Sequence, residues 1–331
     1  MVKEYWSQDI CESLGKLDLK VRLFKLKFTF MSYYIGMKKL MFVYNPVSGR
    51  MDVSRNLSEI VEVFSKDYLV EIHATCEKGD GYKYIVNNLD NSYECLVCAG
   101  GDGTLSEAVS ALIDKNIDMP LGYIPSGSTN DFARSIGIPD KMKEAAQAIV
   151  SGESRRYDAG RFNESCFIYV AAFGLFTEVS YKTDQELKNV LGHAAYIVSG
   201  IRNLDLNKSY AMKVINGEDV YEGNFIFGMI TNSLSIGGIK NITGRDTKLD
   251  DGLFEVTLVK QVNNIDDLND IVSYFILGDR ECEAVIHFTA SRLEVISEQE
   301  VDWTLDGEYG GNNKSAIIEN LHQRIQFKAG H

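Results

Sequence analysis

Three stretches of glycines and small hydroxyl residues carry the side chains best suited to chemistry. Gly100-Gly101-Asp102-Gly103-Thr104 lies between a short apolar run and a helix-forming one. Its glycines let the backbone turn tightly and approach a bulky anion, and the helix N-terminus behind them offers unpaired N–H groups to phosphate. A carboxylate beside phosphate repels it unless a divalent cation intervenes, so Asp102 points to Mg2+. The run lacks the Lys of a P-loop and does not satisfy G-x-G-x-x-G. Pro125-Ser126-Gly127-Ser128-Thr129-Asn130-Asp131-Phe132-Ala133 is a second such loop, and Asn45-Pro46-Val47-Ser48-Gly49 a third, with Arg50 placed to meet phosphate charge. Two acidic turns follow, Leu249-Asp250-Asp251-Gly252-Leu253 and Leu305-Asp306-Gly307-Glu308. Strand alternation puts Asp306 and Glu308 on one face, but Gly307 suggests a turn, and spacing does not rank them.

The elements around these loops alternate between strand and helix. Lys39–Tyr44, Leu69–Ala74, Cys95–Ala99 and Leu121–Ile124 predict buried strands. Val53, Leu57, Ile60, Val61 and Phe64 recur at helical spacing behind Asp52 or Ser54 as N-cap. Further helices are predicted over Tyr82–Asn88, from the Gly100–Thr104 loop to Leu112 or Ile113, and from near Asn130. This is the grammar of an N-terminal doubly wound, mostly parallel α/β sheet, whose ligands bind beyond the carboxyl ends of the strands. After residue 157 short strands dominate: Phe167–Ala172, Ala211–Ile215, Gly223–Thr231, Gly252–Val259, Val285–Ala290, Leu293–Ser297 and Val301–Leu305, with one helix at Leu187–Ile201. That predicts a C-terminal, mostly antiparallel β domain. The division expected is an extension over residues 1–36, a nucleotide-binding α/β domain over 37–157 with 318–328, and a β-rich substrate domain over 158–317. Within the extension, Phe24, Leu26, Phe28 and Phe30 alternate with Lys25, Lys27 and Thr29 like a half-buried strand.

Composition narrows the function. The 331 residues are 45% apolar and 24% charged, as in an ordinary globular protein. Lys and Arg total 34 against 47 Asp and Glu, a net charge of −13. Nucleic acid, which needs a broad basic surface, is excluded as a partner. Overall charge also opposes adhesion to anionic lipid, although Lys25–Lys27 or Arg155–Arg156 could serve a brief contact. The longest apolar run, Ile168 to Phe176, falls well short of the roughly 18 residues a membrane span needs. Glu4, Asp9, Glu12 and Asp18 spoil a signal peptide. Six cysteines do not form a disulfide framework, and a cytoplasmic, reducing location is expected. Cys95 and Cys98 point to opposite faces of a strand and read as small core residues. His73, His193, His287, His322 and His331 form no metal-spaced cluster.

Taken in order and spacing, Asn45–Gly49, Gly100–Thr104, Gly127–Ala133, Asp250-Asp251-Gly252 and Asp306-Gly307-Glu308 resemble the diacylglycerol kinase catalytic-domain family. The similarity is to its soluble bacterial lipid kinase branch, related to sphingosine kinases and distantly to NAD kinases. Leu191–Tyr196 resembles that group too, and the likeness extends from Met37 to about Lys328. It implies an ATP- and Mg2+-dependent lipid kinase with an NAD-kinase-like nucleotide domain. Asn45, Pro46, Val47, Ser48, Gly49, Thr75, Gly101, Asp102, Gly103, Thr104, Leu105, Ser106, Glu107 and Ser128 match positions that surround ATP. Asp102 and Asp131 match an essential acidic centre, and Asp306 with Glu308 the element that deprotonates the lipid hydroxyl, Glu308 being favoured as base. A structural Mg2+ would take the Asp251 carboxylate and the carbonyls of Lys248 and Leu253. Arg245 and Thr247 depart from the Pro and Ala usual there. The partners implied are a lipid such as diacylglycerol, met transiently at the membrane surface, and the assembly is left open to a homodimer. The alternatives are an NAD-kinase-type nucleotide kinase and a non-catalytic nucleotide- or lipid-binding protein; the dehydrogenase fingerprint is missing.

Overall fold

Buried, β-branched and aromatic runs separated by helices build the part of the chain that carries the glycine loops. The computed structural model describes residues 37–127, 130–174, 208–233, 235–236, 239–240, 247–262, 265–277 and 282–328. The expectations for residues 1–36, the helix at 187–201 and the motif at 191–196 lie outside the described residues, as does that for Ser128. Strands β1 (Lys38–Tyr44), β2 (Tyr68–Ala74), β3 (Tyr93–Gly100) and β4 (Leu121–Pro125) form a parallel array in the order β2-β1-β3-β4. Leu40 to Val43 and Cys95 to Ala99 are all at most 1% exposed, the continuous burial of strands covered on both faces. Cys95 and Cys98 are core residues here, and burial pushes the Cys95 thiol up to about 12.

Helices α1 (Asp52–Phe64), α2 (Asp80–Asn88), α3 (Asp102–Asp114), α4 (Asp131–Ser135) and α5 (Met142–Ser151) connect and cover these strands. Of the apolar stripe read from the sequence, α1 buries Val53, Ile60 and Phe64, leaves Leu57 and Val61 half-buried and sinks Val63 as well, and it lies against α5. Helix α3 buries Leu105, Ala108, Val109, Ala111, Leu112 and Ile113, and lies against α2.

The remaining strands pair antiparallel: β5 (Ser154–Phe162), β6 (Ser165–Phe167), β7 (Val170–Phe173), β8 (Tyr210–Asn216) and β9 (Asp219–Thr231), then β12 (Phe254–Lys260), β13 (Val285–Ala290) and β14 (Arg292–Leu305). A separate two-stranded ribbon, β10 (Ser235–Ile236) with β11 (Ile239–Lys240), lies between β9 and β12 in the chain. Helix α6 (Ile265–Leu277) follows β12. Trp303 anchors an aromatic core, tilted 4.8 Å from Phe162 and edge-on 5.0 Å from Phe173. Three differences from the sequence expectations have physical reasons. Phe167–Ala172 is split into β6 and β7, because Ile168 and Tyr169 leave the ladder and turn their N–H groups to Asp306. Residues 293–297 and 301–305 belong to one strand, β14, with an irregularity between Ile296 and Val301. Last comes β15 (Glu308–Lys328), which has no counterpart among the sequence expectations; no residue from Glu308 to Ser315 is buried, so its first half carries no apolar alternation.

Strand β15 joins the two arrays. It pairs antiparallel with β14 as far as Glu319 and with β5 from Ile318 onward, and at Phe327 and Lys328 it pairs parallel with β4. Thirteen strands therefore share one sheet. Between Leu321 and Ile325 the β15–β5 register slips, and Gln323 takes a φ of 47°. Such a bulge frees main-chain N–H groups and bends the strand. Asp158, 1% exposed on β5, receives them: its Oδ1 accepts the Gln323 N–H at 2.6 Å and faces His322 Nδ1 at 3.1 Å. Its Oδ2 accepts the Gly252 N–H at 2.7 Å and the Asn320 amide at 3.2 Å. One carboxylate thus ties the bent strand to the Asp250–Gly252 turn. Asp158→Ala strands these donors in a dry site and is expected to cost about 3 kcal/mol of folding stability, which urea denaturation of the two proteins measures.

Candidate active site

The parallel register brings the small polar loops to one edge of the sheet. Beyond the strand ends the ladder continues for one more step: Asn45 N–H donates to Ala99 O and Thr75 N–H to Tyr44 O, both at 2.9 Å, and Ser126 N–H donates to Gly100 O at 2.8 Å. The loops then touch. A Cβ on Gly49, whose φ is 55°, would stand 2.3 Å from Ser126 O, and one on Gly127 would stand 2.8 Å from the Gly101 Cα. No larger residue allows that approach. Ser126 Oγ donates to Ser48 Oγ at 2.8 Å. Asn130 clamps Gly127 from both sides, its Oδ1 accepting the Gly127 N–H and its amide donating to the Gly127 carbonyl, each at 2.9 Å. Ser48, Gly49 and Gly101 therefore hold loop to loop.

A cleft of about 710 Å³ opens in front of them, lined by Asn45, Pro46, Val47, Thr75, Gly103, Thr104, Ser106, Glu107 and Glu308, with Cys76, Glu77 and Lys78 along one wall. Two residues expected around ATP have side chains engaged elsewhere. Leu105 is fully buried in the α3 core. Glu107 borders the cleft but its carboxylate is spent, Oε1 on the Gly79 N–H at 2.7 Å and Oε2 on the Tyr82 N–H at 3.2 Å. These are orphan donors at the N-terminus of α2, so Glu107 works as a cap reaching across from α3. Asp80 Oδ2 accepts the Cys76 N–H at 2.8 Å. That N–H, more than the nearby His73 ring, holds the Asp80 carboxyl below the ordinary range. The loop from Thr75 to Gly79 is pinned at both ends. Its Cys76, Glu77 and Lys78 escaped sequence reasoning, and the only local signal was Gly79-Asp80-Gly81 at the start of α2.

The Asp306–Glu308 turn is divided in its work. Asp306, 4% exposed at a φ of 50°, accepts Ile168 N–H on Oδ2 at 2.8 Å, and Tyr169 and Val170 N–H on Oδ1 at 3.0 and 3.1 Å. Burial pushes its carboxyl up to about 7 against those donors, with a smaller push from the Asp102 charge. Both Asp306 oxygens are engaged and the residue is hardly exposed, whereas Glu308 opens to the cleft. Its side chain is 55% exposed, and Oε1 lies 3.7 Å from where a Cβ on Gly103 would stand. Lys78 Nζ donates to its Oε2 at 2.6 Å. Asp102 opens α3 behind Gly101, and its charge reaches Asp306 and Tyr123. Asp131 is the first residue of α4, and its side chain lies outside what is described.

Among the described residues no three His, Cys, Asp or Glu side chains are grouped for a metal. The turn at residues 248–253 offers a different donor set. The Leu249 and Asp250 carbonyls are taken by Asp158 N–H and the Gln323 amide. Asp251 Oδ1 accepts Leu253 N–H at 3.1 Å on an otherwise exposed carboxylate. One carboxylate with the Lys248 and Leu253 carbonyls is an all-oxygen set, the chemistry a hard cation such as Mg2+ takes.

The family model described as the diacylglycerol kinase catalytic domain matches residues 39–162. The diacylglycerol kinase of Staphylococcus saprophyticus is 31% identical over 87% of this chain and 94% of its own. That of Bacillus subtilis is 30% identical over 87% of this chain and 95% of its own. A crystal structure of a diacylglycerol kinase from Bacillus anthracis superposes with a TM-score of 0.74 at 28% identity, over 89% of this chain and 98% of that one. Likeness of this extent makes the chain a member of the diacylglycerol kinase family.

Proposed function

We propose that the chain is an ATP-dependent kinase of a lipid hydroxyl, with diacylglycerol as the acceptor to test first. One observation carries this reading: a reachable carboxylate, Glu308, faces the cleft that the glycine and serine loops enclose. In it the triphosphate lies along Asn45, Thr75 and the Gly103–Ser106 turn, where small residues and the α3 N-terminus receive anionic oxygens. Glu308 takes the proton of the acceptor hydroxyl as its oxygen attacks the γ-phosphorus in line, and ADP leaves. Asp102 and Asp131 stand for the acidic centre. They would hold Mg2+, which would supply neutralisation of the phosphate charge, and the Lys248–Leu253 turn, with Asp251, would hold a structural ion. Residues 37–157 with 318–328 act as the doubly wound nucleotide half and 158–317 as the lipid half. The acceptor arrives from a membrane surface in transient contact. Among the described residues no helix is long and apolar enough to cross a membrane. Arg156, one of the basic residues open to such contact by sequence, is already paired with Asp118 at 2.6 Å.

The deciding experiment incubates the protein with γ-labelled ATP, Mg2+ and either detergent-dispersed diacylglycerol or NAD. Label in the organic phase is expected; label only on NAD, or none on any acceptor, overturns the reading in favour of a nucleotide kinase or a binding protein. Glu308→Gln and Asp102→Asn should each lower turnover at least ~100-fold, the scale of a positioned acid–base or charge-organising group, measured in the same assay. Asp306→Ala is expected to act differently. Three stranded N–H groups should cost about 3 kcal/mol of stability, seen as a fall in melting temperature, while the folded fraction still binds ATP.

A further inference from the structure

We propose that Lys78 is a phosphate-binding residue that also holds the base, its ammonium exchanging Glu308 for the terminal phosphates of ATP. The inference rests on the phosphotransfer reading above and names a residue which that reading does not use. Among the described residues lining the cleft, Lys78 is the sole cation, facing Glu77, Glu107 and Glu308. Glu107 is consumed by the α2 cap, and Glu77 lies 3.8 Å from Lys83. Glu308 is left as the partner, and the pair forms at 2.6 Å between the β2–α2 loop and the β14–β15 turn.

One feature places this charge and another lets it exchange. The loop that carries it is anchored on either side, at Cys76 by Asp80 and at Gly79 by Glu107. The pair itself is open to water, with side-chain exposures of 76% for Lys78 and 55% for Glu308. Exposed pairs are weak and exchange readily. A triphosphate brings more negative charge than one carboxylate and accepts charge-assisted hydrogen bonds from ammonium. Its entry therefore draws Lys78 away and leaves the Glu308 carboxylate to the acceptor hydroxyl. Before the nucleotide arrives, the ammonium holds one oxygen of that carboxylate, Oε2. Competition for one cation couples nucleotide binding to the availability of the base, and by linkage the coupling is reciprocal.

Calorimetry of ATP and of AMP binding, with Mg2+ and without lipid, tests this on the wild type, Lys78→Met, Lys78→Arg, Glu308→Gln and the Lys78→Met/Glu308→Gln double variant. Lys78→Met should weaken ATP about 10-fold, the scale of a hydrogen bond to a charged group, leave AMP within about 2-fold, and be largely rescued by Lys78→Arg. Glu308→Gln should tighten ATP about 2- to 5-fold, as freeing a cation from an exposed pair allows. That gain should vanish in the double variant. A strap that only joins loop to turn would instead lower the melting temperature and leave ATP affinity alone. The inference is overturned if Glu308→Gln leaves ATP affinity unchanged or weaker, if its gain survives without Lys78, or if Lys78→Met binds ATP normally. A wild type that binds no ATP would overturn the phosphotransfer reading itself.

Discussion

Main-chain N–H groups that leave a helix or a ladder must find an acceptor, and in this protein acidic side chains repeatedly supply it. Glu107 takes the free donors at the start of α2, Asp80 that of Cys76, Asp306 the three of Ile168 to Val170, and Asp158 those of Gln323 and Gly252. Each bond crosses from one segment to another distant in the chain or folded back on itself, so each fixes a loop relative to the sheet. The cleft keeps its shape because its walls are hung on these acceptors. Part of the surplus of acidic residues is therefore internal scaffolding. Net charge, read from composition, speaks only for the part that remains in solvent.

The glycine loops were legible because their chemistry is local. A Gly49 or Gly127 is required wherever backbone packs on backbone, and strand-loop-helix spacing places three such loops on one edge. The buried strands β1, β3 and β4 were legible for the same reason, since continuous apolar runs suit strands covered on both faces. What a carboxylate does was not legible. Asp306 and Glu308 are two residues apart, yet one faces inward to the β6–β7 link and the other outward to the cleft, because Asp306 sits at a positive φ. That choice depends on donors more than a hundred residues away. Lys78 was missed because nothing within its own loop marks it; its partner lies 230 residues away. The first half of β15 was missed because its residues, none of them buried up to Ser315, lack the apolar alternation that marks a strand.

Where the comparisons and the geometry meet is the division between holding and reacting. Resemblance alone assigned the whole of Gly101 to Glu107 to the nucleotide. The folded chain separates that run into Leu105 in the core, Glu107 as a cap, and Gly103, Thr104 and Ser106 at the cleft surface. The helical period makes this inevitable, since consecutive residues of α3 turn to different sides.

Strand β15 has a consequence for the order in which the protein can be made. The parallel array is synthesised early, but the neighbour that completes it beside β4, at Phe327 and Lys328, emerges only after every strand of the other array. Until then the edge of β4, one of the most apolar strands, has no strand partner on that side, and β5 is paired only with the short β6. A nascent chain in that state carries an open, hydrophobic strand edge, the feature most prone to pairing with the wrong molecule. Closure of both arrays by a single late strand makes their completion one event, so neither half can reach its finished form ahead of the other.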